Sequence, residues 1–318
     1  MPDKIHHSRY LRHIRSLKKV HRQGLRWSSI RYLLISSILK TPPCKSVETG
    51  AARNLEVHVL CYWKDYLQAV WALKTFHRFA RSDFSLVIHI DGFATHRMIK
   101  VLTHHFPNAW VVTRQEADRI AIPLLAKRGL EFLSRQRAQN VFVRKMVDFH
   151  VVARSRNILV LDSDVLFFRE PTHLLDAISG SNCAVFMRDC AYCYSAPAIV
   201  IERFVGAPVV SHLNAGLGLL TTEALDFQAI EKCLRHAELT QGDATFLEQT
   251  LYAIGLARSQ VRHLPSCYLL SMEAGLGFGD LIARHYAGDS RGLMLTEGMM
   301  HLIDRGFLRH NESGACHE

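Results

Sequence analysis

From residue 55 onward the chain switches repeatedly between two periods of apolar spacing. LEVHVLC at 55–61 alternates and then turns wholly apolar, which predicts a strand. Over residues 65–79, Leu67, Val70, Leu73 and Phe76 share one face and predict a helix. FSLVIHI at 84–90 reads as a second strand, ending at Asp91-Gly92. A helix near 94–105 leads to Phe106-Pro107 and a third strand at 109–113. Residues 116–154 read as largely helical, and 157–161 as another β-branched and leucine run. Strands alternating with helices predict an α/β fold with a mostly parallel central sheet flanked by helices and right-handed crossovers. Ligands of such sheets gather outside the carboxyl ends of the strands.

The segment ahead of this body is different. Tyr10, Ile14 and Leu17, then Trp27, Ile30, Leu34 and Ile38, recur at near-helical spacing with basic residues between them. Residues 1–40 hold ten Lys or Arg against Asp3 alone, whereas the other 278 residues hold 29 basic and 28 acidic side chains. The net charge of +10 therefore belongs to the arm and not to the body. A basic amphipathic helix with Trp at its apolar border suits an anionic membrane surface. A helix packed on the body or on a partner subunit fits the same pattern. No recognisable nucleic-acid motif accompanies the basic residues, so no nucleic-acid partner is expected. Thr41-Pro42-Pro43 breaks the helix. The expected organisation is an arm at 1–40, a linker at 41–54, an α/β body at 55–292 and a tail at 293–318.

No apolar run reaches the roughly 18–20 residues of a membrane span, and the first 40 residues lack a signal-peptide layout. The eight cysteines have no framework spacing, and Cys190 and Cys193 form a single C-x-x-C pair, so reduced thiols are expected. A cytoplasmic protein, peripheral at a membrane surface if the arm binds lipid, is the resulting expectation.

Candidate chemistry concentrates in three places. NILVLDSDVLFF at 157–168 carries Asp162, Ser163 and Asp164 at the end of an apolar strand. On an extended chain both carboxylates point to one side and Ser163 to the other. Carboxylates held that close repel, and a divalent cation removes the penalty. The triplet thus suits a metal-bound diphosphate, although a strand ending in a polar turn is the bland alternative. LNAGLGLLT at 213–221 places Asn-Ala-Gly ahead of an apolar strand and predicts a tight turn at the same rim. GDATFLEQTLYAIGL at 242–256 predicts a helix with Glu248 and Gln249 near its start. RHYAG at 284–288 offers His285 as a third ligand, since imidazole suits Mn²⁺. The glycines at 275, 277 and 279 do not match a dinucleotide-binding fingerprint and read as turns or as a mobile loop over a donor.

Taken in order, ILVLDSDVLFF, NAGLGLL, EQTLYAIGL and HYAG resemble the GT-A superfamily of nucleotide-sugar glycosyltransferases over about residues 55–290, closest in flavour to glycosyltransferase family 8 and its relatives. The resemblance implies a Rossmann-like GT-A fold and transfer of a sugar from a nucleotide-diphosphate donor, UDP-sugar favoured, to an acceptor hydroxyl. It implies a metal, Mn²⁺ or Mg²⁺, held by Asp162, Asp164 and His285. It implies base or ribose contacts from Tyr62, Trp63 and Asp91, and phosphate or sugar contacts from Lys145 and Ser163. Asn214, Ala215 and Gly216 would lie beside the donor sugar, and Glu248 and Gln249 beneath the sugar and the attacking hydroxyl. The sequence departs from family 8 after Gly288: no Lys-Pro-Trp follows, and Arg291 would supply the positive charge. Glu248 stands where Asp is commoner. Two other readings fit parts of the pattern. A non-catalytic relative would use the arm as an adaptor. A phosphoryl-transfer enzyme of the haloacid dehalogenase type wants a Thr where Leu166 stands.

Overall fold

A computed structural model describes residues 31–44, 55–178 and 183–309. The chain divides into two compact units, one of residues 43–271 and 276–285, the other of 1–42, 272–275 and 286–318. The amphipathic pattern predicted over 10–30 lies outside the described residues.

The first unit is a mixed α/β fold. Its elements in order are β1 (Leu55–Cys61), α1 (Tyr66–Ala80), β2 (Ser85–Ile90), α2 (His96–His105), β3 (Trp110–Thr113), α3 (Arg114–Lys127), α4 (Glu131–Gln139), α5 (Val141–Val152), β4 (Asn157–Asp162), β5 (Val165–Phe167), α6 (Thr172–Ile178), β6 (Cys183–Arg188), α7 (Ala198–Val205), β7 (Leu213–Thr221), α8 (Phe227–Cys233), α9 (Leu247–Gly255), β8 (Gln260–His263), β9 (Tyr268–Leu270) and β10 (Ala283–His285). Seven strands form one sheet in the order β3-β2-β1-β4-β7-β6-β8. The pairs β3–β2, β2–β1, β1–β4 and β6–β8 are parallel, and β4–β7 and β6–β7 are antiparallel. The sheet is thus mostly parallel, as the strand–helix alternation predicts. β1 and β4 are buried along nearly their whole length, which is why β4 reads as a near-continuous apolar run.

Polar residues inside these strands are spent on structure. Glu56 Oε2 accepts from the backbone N–H groups of Arg154 and Ser155 at 2.7 and 3.1 Å, tying β1 to the loop before β4. The long helical stretch after β3 is three helices. Thr113 and Glu116 form a reciprocal capping box that opens α3. Gly129, at φ +67°, separates α3 from α4. Asn140 caps α5 by accepting from the N–H groups of Phe142 and Val143.

A second sheet, β5-β10-β9, positions the late histidine. β10 runs antiparallel to β5 with His285 opposite Val165, the residue after Asp164.

In the other unit, residues 31–36 are helical and lead into a 3₁₀ turn at Ser37–Lys40. Gly288–Ser290 forms another 3₁₀ turn, and a continuous run follows through Arg291–Leu293, a π-helical Met294–Met299 and Met300–Asp304. Met294, Leu295, Met299 and Leu302 are its buried side. No described helix is long and apolar enough to cross a membrane.

Candidate active site

β4 is the central strand of the large sheet, and its carboxyl end carries Asp162. The strand stops there: Ser163 and Asp164 form a turn into β5. Strand alternation is therefore not what brings the two carboxylates together. The turn does it, with β10 closing from the other side. Asp162, Asp164 and His285 each offer a ligand atom, and these atoms lie within 4.8 Å of one another. His285 Nε2 is 3.1 Å from Asp164 Oδ1 and 3.7 Å from Asp162 Oδ2.

The imidazole is held from behind. Its Nδ1 is 2.9 Å from Asn214 Oδ1. That oxygen also accepts from Gly216 N–H at 3.0 Å, while Asn214 Nδ2 donates to Asp189 Oδ2 and Gln249 Oε1 at 3.0 and 3.3 Å. The amide orientation is fixed by these partners, so Nδ1 must be the donor to Oδ1. In the neutral ring this leaves the Nε2 lone pair facing the carboxylates, the arrangement that orients a metal-binding histidine. Gly216 is required by the same packing, because a Cβ there would sit 2.2 Å from His285 Cε1. The Asn-Ala-Gly triplet is not the tight turn its sequence predicts. All nine residues of β7 are strand, and the pairing with β6 slips between Phe186↔Gly218 and Met187↔Asn214, leaving 215–217 as an irregularity.

Lys145, on α5, is buried behind Asp162. Its Nζ donates to Asp162 Oδ1 at 2.6 Å, lies 3.0 Å from Glu248 Oε1 and reaches Ala215 O at 3.4 Å. Burial lowers the ammonium's pKa, but Asp162 and Glu248 outweigh it and the net shift is upward. Burial pushes Glu248 up to about 8, with Lys145 pulling the other way. Burial also depresses His285, yet Asp164 and Asp162 carry it above its ordinary value. Gln249 holds the floor: Oε1 accepts from Asn214 Nδ2 and Ala215 N–H, and Nε2 donates to Cys193 O at 2.9 Å.

Two carboxylates and an imidazole with its rear nitrogen engaged form a donor set that fits a divalent cation, with the nitrogen suiting Mn²⁺ better than Mg²⁺. Along the same rim, Tyr62 and Trp63 follow β1 and are exposed, with Lys64 Nζ 5.1 Å from the Trp63 ring centre. Asp91 follows β2 and accepts from Arg144 Nη1 at 2.6 Å. Ser163 is buried in the turn between the two aspartates. Gly288, at φ +53°, and Arg291 stand at the start of the helical run of the other unit. Sequence reading missed Arg144 and Asp189. A signal for the first was present: Arg144, Lys145 and Asp148 are charges set in a mostly apolar helix, and buried charges need partners.

No protein-family profile matches the chain, and no curated protein does. Among the solved structures it resembles are several glycosyltransferases. One is the galactosyltransferase LgtC in complex with donor and acceptor sugar analogs, at 14% identity and TM-score 0.48, covering 81% of this chain and 98% of that one. Mouse xyloside xylosyltransferase 1 matches at 12% identity and TM-score 0.47, covering 78% and 99%. Core-mannan synthase A from Aspergillus fumigatus, in its Mn/GDP form, matches at 11% identity and TM-score 0.42, covering 71% and 75%. At such identities the functional reading rests on the side chains of this chain.

Proposed function

We propose that the protein is a metal-dependent glycosyltransferase that moves a sugar from a nucleotide-diphosphate donor, a UDP-sugar by preference, to an acceptor hydroxyl. The observation that carries this reading is the convergence of Asp162, Asp164 and the rear-anchored His285 at the carboxyl end of the central strand. These three side chains would hold Mn²⁺ or Mg²⁺, which when bound supplies Lewis-acid stabilisation of a departing diphosphate.

The remaining residues position and neutralise. Lys145 takes up one oxygen of Asp162 and leaves Oδ2 on the His285 side. Tyr62 and Trp63 offer rings for a base, and Asp91, steadied by Arg144, offers an oxygen for ribose hydroxyls. Asn214 and Gln249 hold one another and the imidazole, so Gln249 acts as a positioning residue. The arm at 1–40 is proposed as a peripheral membrane contact.

Loss of an outer partner of a metal ligand already costs about 10–100-fold in affinity. Asp164→Asn removes a ligand itself. It should weaken Mn²⁺-dependent binding of UDP by on the order of 100-fold or more and abolish turnover, with the far-UV spectrum unchanged. Calorimetric titration with and without Mn²⁺ measures this, and undiminished UDP affinity in the variant would remove the metal role.

A further inference from the structure

A cleft of about 420 Å³ that nothing above uses lies between the start of α5 and the segment that leads into α9. Its walls are the start of α5 with the last turn of α4 on one side and residues 240–247 on the other. Ser195 forms part of the floor. The volume falls within the range of roughly 300–1,000 Å³ expected of a small-ligand site.

The cleft is built by its own bonds. Asn140 Nδ2 donates to Ala244 O at 2.8 Å, pinning the two walls together while its Oδ1 caps α5. Gly242 is pressed on Ser195, since a Cβ there would meet Ser195 O at 2.0 Å. Ser195 is in turn tied by its hydroxyl to Leu239 O at 2.6 Å and to Thr250 Oγ1 at 3.0 Å. A shape held this way needs little ordering when a ligand arrives.

Its chemistry is selective. Gln136, Gln139, Thr240 and Asp243 present amide, hydroxyl and carboxylate groups, and Phe142, 39% exposed, adds an aromatic face. Among the described lining residues none is basic, so the cleft does not suit a phosphate or a nucleotide. Directional hydrogen-bonding groups beside one exposed ring suit a neutral polyol, whose hydroxyls both donate and accept and whose C–H face packs on an aromatic.

Its placement matters as well. The elements that wall it also carry the candidate catalytic side chains. Val141, at the cleft, and Lys145, behind Asp162, are four residues apart on α5, or about 6 Å along the axis. Leu247, at the cleft, is followed directly by Glu248 and Gln249.

We infer that this cleft binds the acceptor, and that the acceptor is a neutral saccharide. The word acceptor rests on the transferase reading, whereas saccharide recognition does not.

The test separates the two. Full-length protein is probed with a panel of neutral oligosaccharides by saturation-transfer NMR and glycan array, without nucleotide or metal. UDP binding with Mn²⁺ is measured in parallel. The wild type should bind a subset of the panel. Phe142→Ala and, independently, Gln139→Ala should weaken that binding at least about tenfold, leaving UDP affinity and thermal midpoint unchanged. With the bound saccharide as acceptor, both variants should raise its KM and leave donor hydrolysis intact. No binding across the panel, equal binding by wild type and both variants, or binding of acyl chains or peptides in place of saccharides overturns the inference. Saccharide binding lost in Phe142→Ala, in a protein that never binds UDP, would keep the saccharide site and remove the transferase reading.

Discussion

At the scale of single residues, the site depends on an absent methyl group. His285 occupies the space that a side chain at 216 would need, and Asn214 holds the ring from the same strand face. Gly216→Ala would force the imidazole aside. Overpacking of this kind costs about 1–3 kcal/mol, and here it also withdraws Nε2 from the two aspartates. Denaturant melts should register the loss of stability, and titration with Mn²⁺ and UDP a loss of metal-dependent affinity. Full affinity in the variant would show that the ring does not need its observed seat. Asn-Ala-Gly stood out in the sequence as a turn, but its role comes from a histidine 69 residues beyond Gly216. Local pattern cannot convey that. The same holds for Gln249: its position was legible, while its engagement with Asn214, Ala215 and Cys193 needs two distant segments in place.

At the scale of elements, the helices behind the sheet are joined by side chains that cap the ends of their neighbours. Glu231, buried on α8, accepts from the N–H groups of Phe132 and Leu133 at 3.0 and 2.9 Å, closing the first turn of α4. Two donors without acceptors cost about 1–3 kcal/mol each when buried. Glu231→Ala should therefore lower stability by about 2–6 kcal/mol in urea melts, and Glu231→Gln, which keeps one acceptor, should lose less. Equal loss in both would point to packing alone. Strands β1, β2 and β4 were readable in the sequence because each is buried and mostly apolar, broken only by Glu56, His58, Ser85 and His89 and by the polar ends of β4. The breaks between α3, α4 and α5 were not, because Gly129 and Asn140 act through backbone angle and capping while the apolar pattern continues across them.

At the scale of the whole molecule, acidity should destabilise the fold for a reason visible in its core. Burial lowers the pKa of His58 and His89, and brings His105 and His150 down to about 4. Each ring is neutral when folded and takes a proton more readily when unfolded. Stability contributed by these depressed groups is present above the unfolded value near 6.5 and is lost as pH falls toward 4. For His150, which donates from Nδ1 to Met146 O at 2.7 Å, the slope approaches about 1.4 kcal/mol per pH unit. Urea melts at pH 7, 6 and 5 should show falling midpoints, and a flat profile would mean these rings are not held neutral. The sequence supplied nineteen histidines without distinguishing them; only the packing separates a ligand candidate such as His285 from rings that serve the core.

The antiparallel pairing of β7 with β4 also constrains how this chain can diverge. Leu161 lies opposite Leu217, so Asn214 reaches His285 from just beyond the last paired rung. Deleting one residue between 214 and 217 would turn the asparagine to the opposite side of the sheet. Deleting two would restore its facing but displace it by roughly 6.8 Å, far outside the span of a 2.9 Å contact. Homologous chains that keep the histidine should therefore vary in length almost anywhere before they vary in these four positions.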